Sequence, residues 1–512
     1  MTPHPVFPSL GRGALVAPQL LAALLLAACA VGPNYHRPAL SASASYGAEA
    51  VSPAPSLPAA SPGERPQLVS GQDIPAQWWR VFHSDDLDAL VERALANSPT
   101  VKAAQAALRS AREQVVAQRG FYYPSVSASV QPSHQDFAKT LSSPLQSNAN
   151  IYDLTTTQVS VSYAPDLFGA NARAVETLVA GRDQQRFELE AARLTLASNV
   201  VLAAIQDALL RAQIDQTKAI IQDQQQTFAS YERQYELGQA SKADLAAQKA
   251  LLAQSQASLP PLEKQFRINR DLLSALVGLT PGEPLTVQFD LRSLTLPEPL
   301  PLSLPAQLVE HRPDVRIAEA QLHAASAQIG VAEAARWPNL QIDANAGSAA
   351  LRLVPQFGSA ENFWNIAATL TQPIFEGGTL LHRQKAAEAA YEQAAQQYQA
   401  TVVGAFQNTA DVLHALWTDA DGLHAAEVAA EASDTSLQIA RRQQALGDLS
   451  RLAVLSAEQA DDQARLALLQ ARANRYADAA ALFQALGGGW WNDAAPPTGA
   501  KSRAASPGSP AP

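Results

Sequence analysis

The sequence predicts a mainly α-helical chain that also carries membrane-type β structure, four strands per chain, built from one unit used twice. Three observations carry this reading. The chain repeats itself. Each copy holds two short stretches of period-two alternation. Each copy also holds a long proline-free stretch with a seven-residue period.

The repeat is visible without gaps between Pro99–Pro124 and Pro313–Pro338. Val101, Ala104, Ala106, Leu108, Ala111 and Gln114 match Val315, Ala318, Ala320, Leu322, Ala325 and Gln328, and Tyr123 stands opposite Trp337. Further on, Leu237-Gly238 and Ser241 fall over Leu446-Gly447 and Ser450, and Leu272, Ala275 and Leu276 are set over Leu482, Ala485 and Leu486. Preserved order of this kind marks a duplicated unit. The expected divisions are a signal peptide (1–28), an N-terminus and linker rich in Pro, Ser and Ala (29–70), a first repeat (71–300), a second repeat (301–488) and a disordered tail (489–512).

Each unit opens with a helix, Asp86–Arg119 and Ala306–Arg336, stopped by Pro124 and Pro338. A hairpin follows, over about 124–164 and 338–373. Val126, Ala128 and Val130 alternate with serines, and Leu340, Ile342, Ala344 and Ala346 alternate with Asn, Gln and Asp. The returning strands repeat the pattern through Val159, Val161 and Tyr163, and through Ile366, Ala368 and Leu370. Such alternation gives one apolar and one polar face. The polar loops between are expected over Pro132–Asp153 and Gly347–Asn362. Long rods come next, Ala170–Glu236 and Thr379–Leu446, with Phe187, Leu194, Val201 and Ala208 seven apart, as are Tyr391, Tyr398, Ala405 and Val412. Seven is the coiled-coil period. Gly238 and Gly447 end the rods, and Ser241 and Ser450 are good N-caps for the helices that return. Pro260-Pro261 is expected to kink or break the first return.

Composition narrows the function. A formal net charge of -10 disfavours nucleic-acid binding, which needs a concentrated basic surface. The single cysteine excludes an intrachain disulfide, and Met1 is the only methionine. No G-x-S-x-G elbow, dinucleotide or phosphate glycine loop, or metal-spaced His/Cys cluster appears, so neither an enzyme nor a cofactor or metal is expected. Cys29 itself follows an apolar stretch, Ala14–Ala28, too short for a comfortable membrane span and ending Leu26-Ala27-Ala28. That context resembles a lipobox, with Cys29 as the acylated first residue of the mature chain. Trp78-Trp79 is read as packing, and Trp364 as either an interfacial or a core residue.

Strands cross a membrane only as a closed barrel, and four cannot close alone, so several chains must share one. At this point the sequence resembles the TolC-type outer membrane factors, in the lipoprotein (NodT/OprM-like) branch of resistance-nodulation-division efflux systems. The carrying residues are Cys29-Ala30-Val31-Gly32-Pro33-Asn34-Tyr35 with Pro38, Trp78-Trp79-Arg80-Val81-Phe82, Arg312-Pro313-Asp314-Val315, Ile329-Gly330-Val331-Ala332, Trp337-Pro338, and Gln372-Pro373-Ile374-Phe375-Glu376-Gly377-Gly378. The resemblance implies a homotrimer anchored in outer-membrane lipid, whose shared β-barrel continues into a long periplasmic α-helical barrel. It implies a passive exit duct for small molecules, working with a periplasmic adaptor and an inner-membrane transporter. A metal-ion or protein-secretion duct of the same fold, or a periplasmic coiled-coil scaffold, are the alternatives.

The resemblance also places a closing gate and the adaptor contact at the rod ends. The matching residues are Tyr235, Gly238, Ser241 and Asp244 in one turn, and Gly447, Asp448, Ser450 and Arg451 in the other. Asp244 is the expected constriction carboxylate, with Lys242 or Arg451 as its partner, while Ala453 and Ser456 stand where the family often has acids.

Overall fold

A computed structural model describes residues 31–39, 67–136, 138, 140, 147–280, 282–283, 285–296, 299–302, 309–351 and 362–492. The signal peptide, Cys29, most of the linker and the tail from residue 493 lie outside these. Two compact units emerge, one of Met1–Ala39, Ala106–Arg186 and Ile317–Ala400, the other of Leu40–Gln105, Phe187–Arg316 and Thr401–Pro512. The elements in chain order are β1 (Leu68–Ser70), α1 (Asp85–Asn97), α2 (Pro99–Arg119), β2 (Ser125–Asp136), β3 (Ile151–Tyr163), α3 (Ala170–Glu236), α4 (Lys242–Leu276), β4 (Leu300–Leu302), α5 (Pro313–Ala334), β5 (Asn339–Ala350), β6 (Asn362–Thr371), α6 (Thr379–Leu446) and α7 (Arg451–Ala485).

In the first unit the two hairpins join into one antiparallel sheet of order β2-β3-β5-β6. Its register sorts the side chains by face, because paired residues share a face and neighbours alternate. Val126, Val161, Ala344 and Ile366 form one row, and Ala128, Val159, Ala346 and Trp364 the next on the same face. The opposite face carries Ser127, Ser160, Asn345 and Asn365, beside Ser125, Ser162 and Asp343. The apolar face is bare: Ile366 is 71% exposed and Trp364 76%, so Trp364 is not a core contact within the chain.

The strands outrun the sequence reading. β2 continues through Pro132 to Asp136 and β3 begins at Ile151, while β5 reaches Ala350. The apolar–polar alternation fades before the pairing does. Side chains hold these ends instead: His134 Nδ1 meets Asp153 Oδ1 at 2.8 Å and the Ser133 hydroxyl donates to Leu154 O at 3.1 Å.

The same unit seats the first described residues as a strap. Arg173, 7% exposed at its side chain, donates from Nε to Val31 O and from one terminal nitrogen to Gly32 O and Asn34 Oδ1, all at 3.0 Å. Its other terminal nitrogen meets Glu176 at 2.7 Å, and Glu176 in turn meets His323 at 2.9 Å. Tyr35 stacks on His323 with centroids 4.3 Å apart. Gly32 has φ +94°, and a Cβ there would lie 2.4 Å from the Gly330 Cα. The two glycine motifs are therefore one backbone-on-backbone contact.

In the second unit Trp78, Phe82, Leu87, Leu273, Phe289, Leu300 and Phe483 are fully buried, and Trp78 stacks on Phe483 at 5.5 Å. The tryptophan pair is packing, as read. β1 and β4 pair in parallel, which nothing in the sequence announced. Arg312 explains its motif: it donates to Ala485 O at 2.8 Å, capping the C-terminus of α7, while Asp314 holds its guanidinium through two bonds of 3.0 and 2.7 Å.

Three expectations are corrected. The opening helix is two helices, because Ser98 (φ -53°, ψ 126°) leaves the helical region before Pro99. In the second repeat residues 309–311 are helical, Arg312 is not, and α5 starts anew at Pro313, whose missing N–H suits a first helical position. Second, of the kink or break expected at Pro260-Pro261, the break is absent: α4 is one helix from Lys242 to Leu276. The carbonyls of Gln256 and Ala257, which lose their N–H partners, belong to exposed residues that water serves. Third, α4 and α7 are both 35 residues long and end at Gly278 and Gly487 with matching caps, so Leu273, not Leu272, stands over Leu482. Leu273 and Leu482 are both fully buried, whereas Leu272 is exposed. The rods have the bounds expected of them, Ala170–Glu236 and Thr379–Leu446.

Candidate functional site

Both rod ends are built by the same local chemistry. At the end of α3 the Gln239 N–H reaches Gln234 O at 2.7 Å and the Gly238 N–H reaches Tyr235 O at 3.0 Å. At the end of α6 the Asp448 N–H reaches Gln443 O and the Gly447 N–H reaches Gln444 O, both at 3.0 Å. These are Schellman closures, which need a left-handed residue after the helix. Gly238 has φ +70° and Gly447 φ +83°, and a Cβ at either would meet nothing within 4 Å. Glycine stands there for its backbone freedom alone, not for space.

The helices that return differ in one respect. The Ser241 hydroxyl accepts from the Asp244 N–H at 3.1 Å, and the Asp244 carboxylate accepts from the Ser241 N–H at 3.2 Å and hydroxyl at 2.7 Å. That is a complete capping box. Ser450 accepts from the Ala453 N–H at 3.3 Å, but Ala453 has no carboxylate to return the bond. The second turn therefore carries only half the cap, consistent with the departure read at Ala453.

Asp244 thus has a local task. The Ser241 hydroxyl, then the Ser241 N–H, hold its carboxyl below the usual carboxylate range, and the charge of Arg451 acts in the same direction. Of the two cations read as partners, Arg451 is the one whose field reaches Asp244. The Arg451 guanidinium also lies 4.9 Å over the ring of Tyr231, a cation–π contact between α7 and α3. Tyr231 is buried and escaped the sequence reading, although it lies seven residues beyond the buried Gln224 on the rod seam. The contact between Tyr231 and Arg451 therefore joins the end of the first rod to the helix that returns from the second turn. Tyr235, Leu237, Leu446 and Leu452 are left exposed at the turns, an apolar set on an otherwise polar surface. Asp448 contributes its backbone N–H to the turn.

A family model described as outer membrane efflux protein matches residues 90–279 and 304–488. The chain belongs to the outer membrane efflux protein family. It is 30% identical over 448 residues to the pyoverdine export outer membrane protein OpmQ of Pseudomonas putida, covering 84% of this chain and 92% of that one. The toluene efflux pump outer membrane protein TtgC of Pseudomonas putida is 28% identical, covering 92% and 94%. Among solved structures, the outer-membrane channel OprN superposes with a TM-score of 0.80 at 24% identity, covering 90% of this chain and all of that one. The protein is an outer-membrane channel component of an efflux system, and the resemblance read from the sequence holds.

Proposed function

We propose that three copies close their sheets into one twelve-stranded barrel and that this homotrimer is the exit duct of a tripartite pump for small organic molecules. The observation that carries the reading is the sheet. It has an apolar face and a polar face on strands of 12, 13, 12 and 10 residues, and a tilted strand needs about 9–11 to cross a bilayer. β2 and β6 are left as open edges, which lipid does not tolerate, so the sheet closes only with further copies. The exported compounds named for OpmQ and TtgC are organic, which favours that cargo over metal ions or protein. Cys29, acylated as the first mature residue, supplies the anchor, and the exposed apolar residues of the two turns receive the periplasmic adaptor, which in turn meets the inner-membrane transporter.

Native mass measurement in detergent tests the assembly. The expected particle holds three chains, each beginning at Cys29 and carrying acyl chains; a stable monomer, or an unmodified start elsewhere, overturns it.

The gate reading places the closed state at the turns, with Asp244 and Arg451 contributing to it. Asp244→Ala is expected to raise open probability or conductance in planar bilayers while the assembly still forms. Half of the capping box goes with the carboxylate, so Asp244→Asn, which keeps an acceptor for the Ser241 donors, separates cap from charge. A gate held by charge opens in both variants. Wild-type conductance in both leaves Asp244 as a helix cap alone.

A further inference from the structure

We infer that β6 of one copy pairs antiparallel with β2 of the next in one fixed register, Leu370 opposite Val130. The inference rests on the shared-barrel reading above and adds to it the alignment of one copy against the next.

The two hairpins are copies of one unit down to the residue. Pro124 and Pro338 each precede an entry strand of 12 residues, so Ser125 of β2 answers to Asn339 of β5. Ser125 pairs with Ser162 in the first hairpin, and Asn339 pairs with Thr371 in the second. Thr371 is therefore the counterpart of Ser162, and Leu370 that of Val161. Equally far on from Ser162 and from Thr371 stands a left-handed glycine before the rod, Gly169 (φ +78°) and Gly378 (φ +85°). A ladder and a helix start thus give the same correspondence.

The joint between the hairpins then supplies the missing one. β3 meets β5 with Val161 opposite Ala344 and Ser162 opposite Asp343. The counterparts of Val161 and Ser162 are Leu370 and Thr371, on the open edge β6. The counterparts of Ala344 and Asp343 are Val130 and Ser129, on the open edge β2. Repeating the joint between copies sets Leu370 against Val130 and Thr371 against Ser129. The ladder runs on to Trp364 against Asp136 without leaving either strand. The occupant is a second copy, because the chain's own β2 lies at the far side of a four-stranded sheet too small to close on itself.

The same register keeps the faces sorted. Leu370 and Val130, 64% and 63% exposed in the single chain, both lie on the apolar face, and Thr371 and Ser129 both lie on the polar one. A slip of one residue would set the apolar side chains of β6 beside the polar face of β2. Leu370 already pairs with Leu340 in its own hairpin, so Val130 of the next copy extends an apolar row. On the polar side the internal joint holds Ser162 to Asp343 by a 2.7 Å hydrogen bond, and Thr371 with Ser129 places two hydroxyls at the equivalent point. The register also sets the rise of the barrel. The row through Val126, Val161, Ala344 and Ile366 meets His134, not Val126, in the next copy, and such a stagger fixes strand tilt in a closed barrel.

Oxidative cross-linking of the full-length chain in outer-membrane fractions tests the register. Leu370→Cys with Val130→Cys, and Thr371→Cys with Ser129→Cys, are expected to give covalent two- and three-chain species that reduction dissolves. Leu370→Cys with Ala128→Cys, or with Pro132→Cys, reports a slip of two residues either way and is expected to give a much weaker ladder. Val161→Cys with Ala344→Cys, the internal reference, stays at one chain, and each single variant gives no ladder. A stronger ladder from a slipped pair, or none from either matched pair in particles that remain oligomeric, overturns the register. Particles that are monomeric before oxidation remove the shared barrel itself, and the register with it. A second measurement guards against misfolding of the cysteine variants. In this register Thr369 faces Gln131 on the polar side. Thr369→Glu with Gln131→Glu should lower the temperature at which the assembly dissociates by more than the single shifts combined, and Thr369→Glu with Gln131→Lys by less. Additive shifts in both pairs would show that the two positions do not face each other.

Discussion

Ile366→Arg is expected to stop the sheet from assembling in the outer membrane, whereas Ser127→Arg is expected to be tolerated. The two positions lie on paired rows of neighbouring register but on opposite faces: Ile366 shares its row with Val126, Val161 and Ala344, and Ser127 shares its row with Ser160. Ile366 is bare in the single chain, and in the proposed barrel its apolar partner is the bilayer. A guanidinium on the lipid side of a barrel strand costs about 2–4 kcal/mol near the midplane, and every copy in the barrel carries the same substitution. In the proposed barrel the polar face lines the duct, where an arginine stays hydrated. Outer-membrane fractionation with heat-resistance of the assembled band reads the difference. Equal assembly of the two variants would show that the Ile366 face does not meet lipid.

The legible part of the fold was the part written in period and punctuation. The rods were bounded correctly because no proline interrupts Ala170–Glu236 or Thr379–Leu446 and because glycine in a Schellman closure ends each. The strand cores were legible from alternation. The strand ends were not, since Ser133, His134 and Gln135 bond across the hairpin by side-chain chemistry that has no period. The Ser98-Pro99 break has a sequence signal, since a residue before proline is disfavoured in the helical region, but the helical pattern continues on both sides of it and masks it. Pro260-Pro261 does not end α4, because an exposed carbonyl can turn to water and the cost of a proline depends on what surrounds it.

At the candidate site the caps were legible and the contacts were not. Ser241 with Asp244 three residues on is a sequence signature, and it formed. Tyr231 over Arg451 joins positions 220 residues apart in number and needs the tertiary structure to bring them together. The same holds for Arg173, whose grip on Val31, Gly32 and Asn34 turns a motif known from its glycines into a seated strap next to the expected acylation point. Buried charge is the extreme case, because sequence position says nothing of whether a carboxylate on a rod faces water.

Asp207 is such a carboxylate. It is 0% exposed, with Arg211 at 3.7 Å and Arg270 at 3.6 Å as its ion-pair partners. Arg270 also donates to Val287 O at 2.7 Å and to Leu285 O, so one side chain ties α4 to both the rod and the segment that follows. Burial pushes the Asp207 carboxyl up from its ordinary range, against the pull of Arg270 and Arg211. Arg270→Ala is expected to destabilise the chain by about 3–5 kcal/mol, the usual cost of leaving one member of a buried pair behind. The pH dependence identifies the cause. A carboxyl whose folded pKa is raised favours the fold at low pH and loses that contribution as pH rises above the ordinary carboxylate value. Removing Arg270 raises that pKa further, so the loss should be larger at pH 8 than at pH 5, where Asp207 is free to take a proton. Asp207→Asn in the Arg270→Ala background should recover the pH-dependent share and leave the part that comes from the two uncapped carbonyls. Thermal unfolding midpoints of the three variants in detergent, at both pH values, decide it. A loss equal at pH 5 and pH 8, unaffected by Asp207→Asn, would assign the whole effect to Leu285 and Val287 and none to the buried charge.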